Sequence, residues 1–178
     1  MLDISEEIPF DIPDSWVWSR FSVIAYYRIG KTPTRGESAY WESGTIPWVS
    51  ISDMKEYGSV SHTKECVTSK ATPLLGQISR KSTLLMSFKL TVGRTAILDI
   101  DAYHNEAIIS IWPFVDTDAA KPYLFYTLPL LANLGNSKEA IKGKTLNTNS
   151  INNLLIPIPP SNEQVAIVTR IKELYARL

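Results

Sequence analysis

Apolar residues follow two rhythms along this chain. In the middle they come in short runs bounded by glycine, serine and charged residues, and Thr83–Ser87, Arg94–Leu98 and Ala107–Trp112 read as strands. Tyr26–Ile29 and Ile46–Ile51 read the same way, separated by a polar loop, Gly30–Gly44, punctuated by glycine and proline. Trp16–Ile24 predicts an opening turn and short helix, and Thr68–Leu75 a second short helix. From Pro122 the rhythm changes: Leu124, Phe125, Leu128, Leu131, Ala132 and Leu134 form the apolar stripe of a helix that ends near Gly135. Asn147–Asn153 predicts one helical turn before a last strand. The expected fold class is α+β, a mixed and mostly antiparallel sheet with flanking helices and a C-terminal amphipathic helix for coiled-coil packing.

That last helix follows an unusual junction. The apolar run Leu154–Ile158 ends at Pro157, Pro159 and Pro160, which remove backbone donors and fix φ, so Ser161 or Asn162 is placed to cap a helix leaving at a set angle. Ile167, Ile171, Leu174 and Leu178 fall at i, i+4, i+7 and i+11, a seam for another helix inside this chain or on another. Residues 1–160 are expected to form one domain and 161–178 the start of the helix.

With 178 residues, 44% of them hydrophobic, the chain can bury one good core. No apolar run approaches the roughly 20 residues of a membrane span, and the amino terminus is acidic where a secretion signal would be basic, so a cytoplasmic protein with no membrane partner is expected. Cys66 is the single cysteine, which rules out an internal disulfide or a cysteine metal cluster.

The net charge of zero hides an asymmetry. Asp3, Glu6, Glu7, Asp11 and Asp14 all precede residue 15, and the rest of the chain carries 18 basic against 13 acidic residues. Arg28, Lys31 and Arg35 occur with no acid between them; Lys64, Lys70, Arg80, Lys81, Lys89 and Arg94 are set against Glu65 alone. Such a surface can contact phosphates, although any single lysine is more often a solvated surface charge.

Gly30-Lys31-Thr32 is not a nucleotide-binding loop, because position 25 is alanine where the first glycine belongs and Pro33 stands where a helix should begin. Ser87–Arg94 reads as strand, tight connection and strand, with Lys89 and Arg94 near one tip. His62 and His104, the only histidines, lie 42 positions apart and lack metal-ligand spacing. Asp99, Asp101 and Glu106 read as a solvated acidic turn, since no lysine follows at nuclease-like spacing. The tetrapeptide and glycine-rich loop that a DNA adenine methyltransferase needs are missing. Trp16, Trp18, Tyr40, Trp41 and Trp48 suit core packing better than base stacking. No catalytic residue, cofactor or metal site is expected.

Five blocks in order give the chain a family resemblance. Ile12–Trp18, Gly30–Thr34, Tyr40–Val49, Leu84–Arg94 and the Pro-Ile-Pro-Pro junction before Glu163-Gln164 resemble recurring blocks of the specificity subunits of type I restriction-modification systems. The resemblance implies a non-catalytic DNA target-recognition domain that reads one half of a bipartite site on double-stranded DNA. It implies partners too: methyltransferase subunits, through them a restriction subunit, and a second recognition domain or twin chain through the C-terminal helix. It places Lys31, Thr32 and Arg35 in a DNA-facing loop and Lys142, Lys144 and Thr145 in a turn before the final helix and strand, as candidate phosphate contacts beside Lys89, Thr91 and Arg94. Members of the family usually carry two recognition domains and two long helices. This chain departs from that pattern, so an amino-terminal fragment, a truncated half-subunit and a half-subunit dimerising through its helix stay open, with truncation favoured by the apolar Leu174 and Leu178. An assembly protein without DNA specificity and a self-contained endonuclease are the rival readings.

Overall fold

The computed structural model describes residues 4–115, 118–134 and 146–177. Its organising element is β9 (Ile108–Pro113), whose apolar run, interrupted by the buried Ser110, suits a strand covered on both faces. It pairs antiparallel with β2 (Ala25–Ile29) on one side and β6 (Leu84–Ser87) on the other. Beyond β6 come β7 (Thr95–Leu98), antiparallel, and β4 (Gly58–Val60), parallel to β7. A second sheet has β3 (Ile46–Val49) at its centre, antiparallel to β5 (Glu65–Val67) and parallel to β8 (Tyr103–His104). The third is a single ladder, β1 (Val17–Arg20) antiparallel to β10 (Leu155–Ile158), which ties the start of the chain to the strand before the last helix. Five of these seven ladders are antiparallel, so the mixed, mostly antiparallel expectation holds.

Period-two alternation sorts the side chains between two cores. Leu84 and Met86 with Ile109 and Ile111 face α3 (Ala120–Leu134), where Leu124, Phe125, Leu128 and Leu131 meet them. Leu85 and Ile108 face the other way, onto Val49, Met54, Val60 and Leu98. Burying each of these aliphatic side chains contributes roughly 1.5–3 kcal/mol. Trp48, Val67, Ala71 and Leu75 form a third cluster under the loop 30–44.

Local chemistry moves several predicted boundaries. Trp16–Ile24 holds strand β1 where the sequence predicts a turn, and the short helix α1 is confined to Phe21–Ile24. The second short helix, α2, shrinks to Thr72–Leu75. After β3 the chain turns into a 3-10 turn at Ile51–Asp53, because Ser50 and Asp53 cap each other. Helix α3 starts at Ala120, two residues before Pro122, which is tolerated in the first turn because its missing N–H has no intrahelical partner there. Pro129 lies inside the same helix, and the Phe125 carbonyl it leaves free accepts a 2.8 Å hydrogen bond from the buried Thr95 hydroxyl. The predicted turn is α4 (Thr148–Asn152), capped by Asn147, whose side-chain oxygen accepts from Ser150 N at 2.9 Å.

The last helix, α5 (Ser161–Tyr175), corrects two expectations. Neither Ser161 nor Asn162 caps it: Pro160 is the cap residue and makes no side-chain bond, while Gln164 Nε2 reaches back to Pro159 O at 2.9 Å. The seam is also rotated. Gln164 and Val168 are buried, Ile167 and Ile171 are half-buried, and Leu174 is 48% exposed. The inner face packs on α3 of the same chain. Tyr175 closes this contact, its ring 5.7 Å from Tyr57 and 6.4 Å from Tyr126. Leu178 lies outside the described residues.

Candidate nucleic-acid interface

The loop after β2 is anchored through its backbone. Gly30 N–H donates to Ile108 O at 3.1 Å, Lys31 N–H to His104 O at 2.9 Å, and Lys31 O accepts the Trp48 indole N–H at 3.1 Å. Gly30 is required by space: an added Cβ would lie 2.1 Å from His104 O and 2.3 Å from Asn105 O. Held this way, Gly30–Thr34 lines a shallow hollow of about 420 Å³ with Leu74, Leu75 and Glu106.

Two remote stretches converge on Glu106. The Thr32 hydroxyl donates to its carboxylate, and this bond, with the Lys89 and Arg35 cations adding to it, holds the carboxyl below its ordinary range. Lys89 arrives from the β6–β7 connection, which Phe88 pins to the same turn by donating its N–H to Ala107 O at 2.9 Å. Lys31 and Lys89 form no ion pair among the described residues, which leaves two ammonium groups for an anion.

The other candidates sit differently. Arg35 makes both its guanidinium contacts to Glu65 and stacks on Trp41 at 4.1 Å and Trp48 at 4.6 Å. Thr91 takes part in the turn through its backbone, its N–H donating to Lys89 O at 2.7 Å and its carbonyl accepting from Ser87 Oγ. Arg94 is not near the tip of the hairpin. It stands at the foot, opposite Ser87, with its guanidinium on Met54 O at 3.2 Å and a buried Nε that has no hydrogen-bond partner. Lys142, Lys144 and Thr145 lie outside the described residues. The acids near Glu106 do not gather: Asp101 pairs with Arg80 at 2.6 Å and accepts Lys81 N–H at 2.8 Å. Among the described residues no group of three acids, histidines or cysteines is placed to hold a metal, and no helix is long and apolar enough to cross a membrane.

A second basic and aromatic face, unseen in the sequence, lies on β2 and β9. Tyr26 stands opposite Trp112 in the ladder and stacks on it at 5.6 Å, and the Arg28 guanidinium lies 5.1 Å from the same indole. The spacing of Tyr26 and Arg28 puts both on one side of a strand, but their partner Trp112 is 86 and 84 residues away in sequence. Arg28 also opens a buried chain. A guanidinium can only donate, so Arg28 donates to Ser79 Oγ at 3.0 Å; with the His104 proton on Nδ1, Nε2 accepts from Ser110 Oγ at 2.6 Å, and Ser110 in turn accepts from Ser79 Oγ at 2.6 Å. His104 Nδ1–H then faces Asn105 O at 3.4 Å.

This chain needs a neutral imidazole, and burial pushes the His104 pKa down to about 4 from 6.5, with Arg28 adding to the effect. Unfolded chains therefore take the proton first. The stabilisation is complete above pH 6.5 and drains away as pH falls towards 4, by about 1.4 kcal/mol per pH unit within that window. Urea midpoints of wild type and His104→Gln between pH 7 and pH 4 are expected to show this slope in wild type alone; an equal slope in both would contradict it.

The loop after β2 and the β6–β7 connection, with Lys31 and Lys89, are thus anchored on a mixed, mostly antiparallel α+β frame. The chain belongs to the type I restriction modification DNA specificity domain family, whose sequence profile matches residues 13–178. The chain is 26% identical over 163 residues to the EcoR124I/EcoR124II type I restriction enzyme specificity subunit of Escherichia coli, covering 85% of this chain and 39% of that one. A chain from a structure of a type I R-M system superposes with a TM-score of 0.71 at 20% identity, covering 98% of this chain and 42% of that one. The HsdS subunit from Thermoanaerobacter tengcongensis gives 0.66 at 20% identity, covering 94% and 39%. The chain spans less than half the length of each of these relatives.

Proposed function

We propose that the chain is a DNA target-recognition module that reads one half of a bipartite site on double-stranded DNA and carries no catalytic group of its own. The observation that carries this reading is the meeting of Thr32 and Lys89 at Glu106 from stretches nearly 60 residues apart in sequence, with Lys31 lining the same hollow. Lys31 and Lys89 would meet phosphates, and the anchored backbone of the loop would set the register at which neighbouring side chains reach base edges. Arg94, held by Met54, would fix the hairpin's foot instead of touching DNA. The module would choose the site for methyltransferase subunits and, through them, for a restriction subunit. With the inner face of α5 occupied by α3, a second recognition domain or a twin chain would dock along the flank of α5 that carries the exposed Leu174 beside the half-buried Ile167 and Ile171.

Genome-wide adenine methylation in cells that express cognate methyltransferase subunits, with and without this chain, tests the proposal. The expected result is a new methylated motif that appears only with the chain, bipartite if it pairs with a second domain and palindromic if two copies pair through α5. If the chain co-purifies with the methyltransferase subunits and no motif appears, its role is assembly.

A further inference from the structure

The β6–β7 connection carries at its apex a leucine that the fold does not use. Leu90 is 81% exposed, more than any other large hydrophobic residue described. Its φ of +64° puts a branched side chain in the left-handed region. Thr91 N–H bonds to Lys89 O at 2.7 Å, which makes Leu90 the centre of a three-residue turn of the rare, strained kind. Glycine or asparagine would fit this backbone with less strain, and a polar residue would suit this exposure better.

The turn is stiffly mounted. On one side Phe88 is buried, with its N–H on Ala107 O and its carbonyl accepting from Leu146 N at 2.8 Å. On the other, Val92 packs on the main core, and Gly93, with φ +86°, leaves room for the close approach of Pro129 and Ala132 of α3. Ser87 Oγ closes the loop from below on Thr91 O. An apolar side chain is thus held out on a rigid, strained tip, and such strain is retained where the surroundings enforce it and function uses it.

The neighbours of Leu90 select the ligand. Lys89 precedes it, and the charge of Lys89 is felt at Glu106, against which Thr32 is bonded. An apolar tip beside an ammonium group suits a surface with anions at its rim and flat apolar faces between them, which is duplex DNA entered at a base step.

We propose that Leu90 is a wedge that inserts at a base step and locally unstacks it, with Lys89 on the flanking phosphate; this rests on the DNA-recognition reading above. Leucine is among the side chains that other DNA-binding proteins use in this way. The wedge would add selectivity for easily unstacked steps that no hydrogen bond reads.

The test uses a duplex that the full chain enriches from a random-sequence pool, with 2-aminopurine moved through it base by base. Wild type is expected to raise the fluorescence several-fold at one step. Leu90→Asn, which keeps the left-handed turn, loses that rise with the salt dependence of binding unchanged, and Leu90→Met restores it. A rise that persists in Leu90→Asn overturns the wedge, as does binding by wild type without any bright step, the result expected if Leu90 meets a protein instead. Failure to enrich any duplex overturns the DNA reading along with it.

Discussion

Replacing Gly30 with alanine is expected to remove at least about 4 kcal/mol of stability, enough to leave little folded protein. The reason is where the new methyl group would go. It would lie 2.1–2.3 Å from two backbone carbonyl oxygens and from His104 Nδ1, well inside any tolerated contact. Backbone cannot rotate away as a flexible side chain can, so the loop must lift from β8. Lifting it breaks the Gly30 N–H bond to Ile108 O and the Lys31 N–H bond to His104 O, and it disturbs the neutral His104 at the end of the buried serine chain. Gly36→Ala provides the control, because nothing lies within 4 Å of a Cβ there. Denaturant midpoints and soluble yields should separate the two variants, and equal behaviour would mean that the loop is not anchored as described.

Truncating Trp48 to alanine is expected to cost about 3–5 kcal/mol and to weaken DNA binding in whatever protein remains folded. Trp48 is 1% exposed at the centre of the second sheet, edge-on to Trp41 at 5.1 Å, with its indole N–H on Lys31 O. The same ring supports the Arg35 guanidinium, which Glu65 neutralises. Removing it opens a cavity under the loop and takes the donor from the Lys31 carbonyl. Trp48→Phe should keep most of the packing and lose mainly the hydrogen bond, about 1 kcal/mol. If Trp48→Ala left both stability and binding unchanged, the second sheet would not be the platform of the site.

How legible the molecule is in its sequence varies by element. β6 and β9 show up as apolar runs because both their faces are buried, and α3 and α5 show a helical period long enough to read. β4, β5 and β8 have two or three residues each, too few for any period, and two of them are paired in parallel to strands distant in sequence. The apolar pattern of α5 points one step round the helix from the face that packs, because Gln164 looks polar yet is buried once its amide bonds to Pro159 O.

For the candidate site, the local surplus of basic residues points to Lys31 and Lys89, and the family resemblance puts Lys31 and Thr32 in one loop. The capture of Arg35 by Glu65, 30 residues on, and the attachment of Arg94 to a backbone carbonyl 40 residues back were not, since both depend on tertiary contacts with no sequence signal. The same holds for the Tyr26–Trp112–Arg28 face, which exists only once β2 and β9 are in register.

The most direct test of DNA recognition is equilibrium binding to a mixed-sequence duplex over a salt series from about 50 to 200 mM, for wild type and for Lys31→Ala combined with Lys89→Ala. If these two ammonium groups each neutralise a phosphate, the double variant binds more weakly and the slope of log affinity against log salt becomes shallower by about 1.8, two contacts at about 0.9 each. A wild-type chain that binds with no salt dependence, or a double variant with an unchanged slope, would contradict the account.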